Sequence, residues 1–262
     1  MEKLQCELCN GTDFTKNDEY FVCDFCRAKY STEQAKKMMI EGIVEVAGTV
    51  QVDRGNETAN LITLAESALA GGNATNAFDY ANRALEIDVD NWQAWAIKGK
   101  AAGWSSTLNN FRMAEMLTSF NTALVSAPEG ERSALKIEWA GEMLKISVAV
   151  HNLSWKHVNK FPGVKGSWLQ HSERCVLILG VLDLAYQWGG QQAILENSIM
   201  IASNLIIGIK FKNVRGRSAV IYLQPAFENR MQQRINTAGE EMRKFDPAYV
   251  APKPKRQKVG LF

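Results

Sequence analysis

The chain has 262 residues, 46% of them apolar and 22% charged. That is enough for one or two globular domains with a sizeable core, and it leaves disorder plausible only at the end. The net charge of +2 conceals a polarity, because residues 1–130 carry −7 and residues 131–262 carry +9, so an anionic partner belongs with the back half. The greasiest runs, residues 175–185 and 199–209, fall short of the ~20 residues a bilayer span needs and are interrupted by Asp183 and Asn204, which predicts core helices and no membrane partner.

The chain begins Met-Glu-Lys-Leu-Gln-Cys, without the apolar stretch of a signal peptide. A cytoplasmic location is the expectation, and there the thiols stay reduced, which favours metal binding over disulfides. Cys6-Glu-Leu-Cys9 and Cys23-Asp-Phe-Cys26 are two C-x-x-C pairs separated by thirteen residues. Each pair can make a tight turn aiming two thiolates at one point, and two such turns on a short hairpin complete a tetrahedral Zn²⁺ site. Four thiolates leave no open coordination position, so the expected role is structural. Asn10-Gly11 supplies a turn dipeptide, and Phe14, Tyr20, Phe25 and Tyr30 form a small aromatic shell. So small a module must take most of its folding energy from the metal. The spacing, with the aromatic-rich segment from Tyr20 to Tyr30, resembles the transcription-factor-IIB type of zinc ribbon. In that family the ribbon often touches nucleic acid or polymerase. Here residues 1–30 carry −2, whereas a phosphate-binding surface should be basic.

Residues 31–56 are expected to form a linker. Ser31-Thr-Glu-Gln34 has capping-box spacing and opens a short helix through Ile40. Val44, Val46, Gly48, Val50 and Val52 then alternate with Glu45, Ala47, Thr49, Gln51 and Asp53 at period two, the mark of one extended strand. That strand needs a partner, either the ribbon's own sheet or the edge of another chain.

Residues 57–130 change to helical periodicity. Leu61, Leu64, Ala65 and Ala68 make one stripe, Gly71-Gly72-Asn73 turns, and Ala77, Tyr80, Ala81, Ala84 and Leu85 make the next. A looser second copy runs through Trp95, Gly99, Ala102, Phe120, Ala123 and Pro128, with extra residues near 105–110. These units resemble tetratricopeptide repeats, whose first helices line a peptide-binding groove; that resemblance implies protein partners and nominates Glu66, Gln93, Lys100 and Trp104 as groove residues. The carboxylate-clamping Lys/Asn set of the chaperone-binding members is absent. Ribbon, Val-rich strand and repeats together resemble bacterial zinc-ribbon proteins of largely unassigned role, a resemblance that stops at Pro128.

Residues 131–246 read as further helices, all-α, either continuing the stack or capping it. A stripe from Leu135 to Val150 marks one helix over residues 131–151. Residues 167–188 and 191–211 are apolar nearly all round, and Pro225 starts an amphipathic helix that Asp246-Pro247 stops. His151, His157 and His171 stand singly and read as surface or capping residues, and Cys175 as a buried core thiol. No catalytic constellation is recognisable, so no enzyme activity is expected. Lys210, Lys212, Arg215 and Arg217 crowd the expected end of a helix. They are either cations favouring a helix C-terminus or, with Lys253, Lys255, Arg256 and Lys258, an anion-binding surface. Residues 247–262 read as a disordered basic tail. The fold class expected is therefore mainly α behind a small β zinc ribbon. The expected role is a zinc-binding adaptor that holds protein partners, the alternative being nucleic-acid binding through the basic back half.

Overall fold

The structure, a computed structural model, describes residue 6 and residues 8–9, 12–17, 20–35, 54–212 and 215–258. The chain divides into two units, residues 1–53 and 54–262. The Asn10-Gly11 turn, the helix beyond residue 35 and the alternating valine strand expected over 44–52 lie outside the described residues.

In the first unit, β1 (Phe14–Lys16), β2 (Tyr20–Cys23) and β3 (Lys29–Ser31) form an antiparallel sheet in sequential order. Asn17 and Tyr20 exchange backbone hydrogen bonds of 2.9 and 3.2 Å, closing the first hairpin. The register sets Phe14 opposite Cys23 and Phe21 opposite Tyr30, which brings Phe14 and Tyr30 edge to face at 6.0 Å. The capping box after β3 is present in both directions: Ser31 N donates to Gln34 Oε1 and Gln34 N to Ser31 Oγ. Residues 32–35 are helical beyond it.

The second unit contains, among the described residues, α1 (Arg54–Ala70), α2 (Ala74–Ile87), α3 (Trp92–Trp104), α4 (Met113–Ser126), α5 (Arg132–Lys160), α6 (Ser167–Gly189), α7 (Gln192–Ile207) and α8 (Pro225–Met242). A two-stranded hairpin of β4 (Ile209–Lys212) and β5 (Ser218–Ile221) separates the last two helices. Each odd-numbered helix pairs with the even one after it, and α1, α3, α5 and α7 also touch in succession. The chain therefore folds as four stacked helical hairpins, so the helices beyond Pro128 continue the stack that began at α1.

Local chemistry explains the punctuation. Asn73 and Asn91 cap α2 and α3 by accepting from the backbone N–H groups of Asn76 and Ala94. The long turn between α3 and α4 is held by Arg112, whose Nη1 donates to Ser105 Oγ at 2.9 Å, and by Arg174 of α6, whose Nη2 donates to the Leu108 carbonyl at 2.8 Å. Small residues let the hairpins close: a Cβ on Gly103 would lie 2.7 Å from both Ile146 Cδ1 and Met116 Sδ. The core runs from α3 to α8 around Trp139, which stacks on Phe120 at 5.3 Å and lies 6.4 Å from both Trp92 and Trp188.

Two expectations fail here. Residues 191–211 are not one helix: α7 stops at Ile207 because Gly208, at φ +74°, packs against the Ile221 carbonyl where no Cβ fits. The tail is not disordered through Lys258. Gln257 N donates to the Ile207 carbonyl at 3.0 Å, Gln232 Nε2 to the Pro252 carbonyl at 3.3 Å, and Ala251 packs on Gly239 of α8. Backbone pairing and close packing replace the apolar burial that the tail's composition lacks.

Candidate functional site

The four cysteines of the first unit come together as their spacing requires, with all four sulfurs within 4.8 Å of one another. Cys23 ends β2, and the chain turns back at once: Arg27 N donates to the Cys23 carbonyl and Cys23 N to the Ala28 carbonyl, both at 2.9 Å. Arg27 takes a left-handed φ of 64° to make that turn. Cys6 Sγ lies 3.5 Å from Cys26 Sγ, and Cys9 Sγ lies 3.6 Å from Cys23 Sγ. A tetrahedral ion with ~2.3 Å metal–sulfur bonds sets its sulfurs roughly 3.8 Å apart, so the thiols fit around one metal ion with a slight expansion. Cys6 and Cys23 are buried, Cys9 is half-buried and Cys26 exposed. The Tyr30 hydroxyl stands 3.1 Å from Cys6 Sγ. By donating to the thiolate it holds Cys6 down to about 6. Sequence reasoning gave Tyr30 only an aromatic role; its polar one depends on the β2–β3 register.

In the second unit, Glu66, Gln93, Lys100 and Trp104 line two adjoining cavities that share Glu66. One, of about 590 Å³, lies among Thr58, Ile62, Glu66, Asp88 and Gln93. The other, of about 340 Å³, is closed by Ile97, Lys100, Trp104 and Glu142. The surface thus runs along α1, α3 and α5, the odd-numbered helices of three successive hairpins. Two of the four residues are already engaged there. Lys100 Nζ pairs with Glu138 Oε1 at 2.8 Å, and Trp104 Nε1 donates to Glu142 Oε1 at 2.6 Å. Trp104 still leaves 44% of its surface exposed. Glu66, Asp88 and Glu142 outnumber the one cation, which is itself neutralised, so the lining is acidic. Glu138 and Glu142 escaped sequence reasoning. Their signal is an i,i+4 acidic pair beside the Trp139 stripe, and it acquires meaning only once α5 takes its place in the stack.

The basic residues lie elsewhere. Lys210 and Lys212 are exposed on β4, opposite Val220 and Ser218 of β5, and Arg215 and Arg217 follow in the connecting turn. Since they sit on a hairpin, the helix-terminus account of them falls. The histidine expectation is also corrected. His157 does lie in the last turn of α5, but His151 and His171 are each only 1% exposed and face one another across α5 and α6. Cys175 is buried as expected, and burial pushes its thiol up to about 12. Burial, then the repulsion a protonated His151 would add and the Arg174 guanidinium, push His171 down to about 3, and burial likewise lowers His151. Burial thus favours the neutral form of all three side chains. Among the described residues no helix is long and apolar enough to cross a membrane. The chain matches no protein-family model, and no curated protein or solved structure resembles it at a significant level.

Proposed function

We propose that the protein is a zinc-binding adaptor with no reaction of its own. Zn²⁺ held by Cys6, Cys9, Cys23 and Cys26 folds the ribbon, and the groove along α1, α3 and α5 holds a segment of a protein partner. Zinc follows from the donor set, since four thiolates at tetrahedral spacing suit a borderline-soft ion and close its coordination sphere. The observation that carries the binding role is the groove: Glu66, Gln93, Lys100 and Trp104 line adjoining cavities on one face of successive hairpins. Its excess of carboxylates favours a partner segment rich in Lys or Arg, and the half-exposed Trp104 supplies an aromatic anchor of the type that dominates binding energy. Kinship with bacterial zinc-ribbon proteins carrying tetratricopeptide-like repeats is part of the same proposal.

The rival is nucleic-acid binding through the back half. One observation favours it: Gln257 N and Nε2 donate to the Ile207 and Gly208 carbonyls, which ties the basic tail to the base of the basic hairpin. Affinity capture with and without nuclease separates the two. For the adaptor, partner recovery survives nuclease and is lost in the triple variant Glu66→Lys, Gln93→Ala, Trp104→Ala, with an unchanged melting temperature. For the rival, recovery vanishes on digestion and in a variant with Ser at positions 210, 212, 215 and 217.

A further inference from the structure

The interface of α5 and α6 holds a set of side chains that the adaptor role does not use. His151 lies on α5; His171 and Cys175 lie four residues apart on one face of α6. The donor atoms of these three residues lie within 4.8 Å of one another, and Cys175 Sγ is 3.4 Å from His171 Nε2. All three are buried. Ser154 Oγ stands 2.9 Å from His171 Nδ1, an outer contact that can fix the ring so that Nε2 faces the sulfur. Trp155 and Trp168 wall the cluster, their ring centroids 5.4 and 5.7 Å from that of His171.

Packing alone does not explain His151. Although it is 1% exposed, neither of its ring nitrogens has a partner at hydrogen-bonding geometry, the neighbouring Asn152 side chain offering only a weak polar contact, and a buried ring left so poorly satisfied is costly. Side chains of this kind are rare unless something else occupies the space beside them. Two imidazoles and one thiol at this separation are a metal-ligand set.

We propose that His151, His171 and Cys175 form a second metal site, buried in the third helical hairpin and suited to monovalent copper. Charge selects the ion. Two neutral imidazoles and one thiolate carry −1 and balance Cu⁺, whereas Zn²⁺ would leave a net positive charge in the core beside the Arg174 guanidinium, whose field reaches both His171 and Cys175. Soft sulfur and imidazole donors also favour Cu⁺. On binding, the ion displaces the thiol proton of Cys175 to solvent and is held by one sulfur and two nitrogens. It thereby ties α5 to α6.

The test loads the full-length protein anaerobically with Zn²⁺ alone or with Cu⁺ under reductant, counts ions per chain by native mass spectrometry and reads the copper ligands by X-ray absorption. With copper, wild type should hold one ion more than Cys175→Ser and show nitrogen scattering that the all-sulfur ribbon cannot give. Its melting temperature should rise on copper loading, and the variant should lack the part of that rise due to this site. His151→Gln, which keeps bulk and hydrogen-bonding capacity, should lose the same ion, covering the case in which Cys175→Ser folds poorly. With zinc alone, both proteins should hold only the ribbon's ion. Equal copper counts in wild type and both variants, or copper bound by sulfur alone, would overturn the site. A second zinc ion that Cys175→Ser removes would overturn the copper assignment.

Discussion

At the scale of single residues, the cysteine cluster of the ribbon was legible because its information is local. Two C-x-x-C pairs fix the donor set by spacing alone, and the structure needs only two tight turns to close it. Tyr30 was half legible: its place in the aromatic shell follows from sequence, but its hydroxyl reaches Cys6 only through the antiparallel register that sets Phe21 opposite Tyr30. That contact has a measurable consequence. The hydroxyl stabilises the Cys6 thiolate and lowers its pKa, so, if zinc is bound as proposed, protons should compete with it only at lower pH. Tyr30→Phe removes the donor and lets that pKa climb back toward the ordinary thiol value. The pH at which zinc is released should therefore shift upward, and affinity at neutral pH should fall about tenfold, the usual scale for an outer contact to a metal ligand. A chelator competition across pH measures both. Arg27 makes the opposite case, since its φ of 64° costs a side-chain-bearing residue about 1–2 kcal/mol. Arg27→Gly should relieve part of that cost and tighten zinc binding. His151 was illegible as a core residue, because nothing in its own neighbourhood announces that α6 will bring His171 and Cys175 against it.

At the scale of elements, long periodic segments were readable and their junctions less so. The first helical pair, with its Gly71-Gly72-Asn73 turn, forms where the stripes place it, with one exception in the first stripe. Leu64 departs from its stripe at 47% exposure, and Ile62 is buried in the adjoining core. The α7–β4 junction was missed because an apolar run followed by Ile-Lys-Phe-Lys satisfies helical and strand patterns alike, and Gly208 was the sole local clue. Glycine positions within helices carry testable weight too. Gly103 lies where α3 meets α4 and α5, and any added methyl lands 2.7 Å from Ile146 and Met116. Overpacking of this kind costs about 1–3 kcal/mol, so Gly103→Ala should lower the urea midpoint with little change in the slope of the transition. Gly180, which has open space around its Cβ position, is the control. Gly180→Ala should be neutral or stabilising by up to about 1 kcal/mol through helix propensity. Equal effects at the two sites would show that α3 is not packed as closely as described.

At the scale of the whole molecule, the sequence showed where one kind of structure gives way to another but not how far the repeat extends. Resemblance ended at Pro128, yet the alternation of contacts continues through four hairpins. The later helices are lengthened, α5 to 29 residues and α6 to 23, which erases the repeat period while preserving the packing order. The two units differ in what holds them. Among the described residues the ribbon's apolar cluster consists of Cys6, Cys23 and Tyr30 with Cys9, Phe14 and Ala28 against it, a cluster so small that, on the zinc reading proposed above, the ion supplies most of the folding energy. The stack buries two clusters, one of them running from Ala96 to Met242, and none of their members precedes Leu61. Removing zinc should therefore unfold one unit and spare the other. A strong chelator at neutral pH should abolish the chemical-shift dispersion of residues 6–35 while the far-ultraviolet helical signal and the thermal transition of the stack persist. Cys23→Ser should reproduce the chelated state without chelator. The opposite substitution, Trp139→Ala in the centre of the stack, should cost about 3–5 kcal/mol and lower that thermal transition, leaving zinc stoichiometry at the ribbon intact. A helical signal that collapses when the ribbon's ion is removed, in wild type and in Cys175→Ser alike, would overturn the separation, because the stack would then depend on the ribbon for its folding.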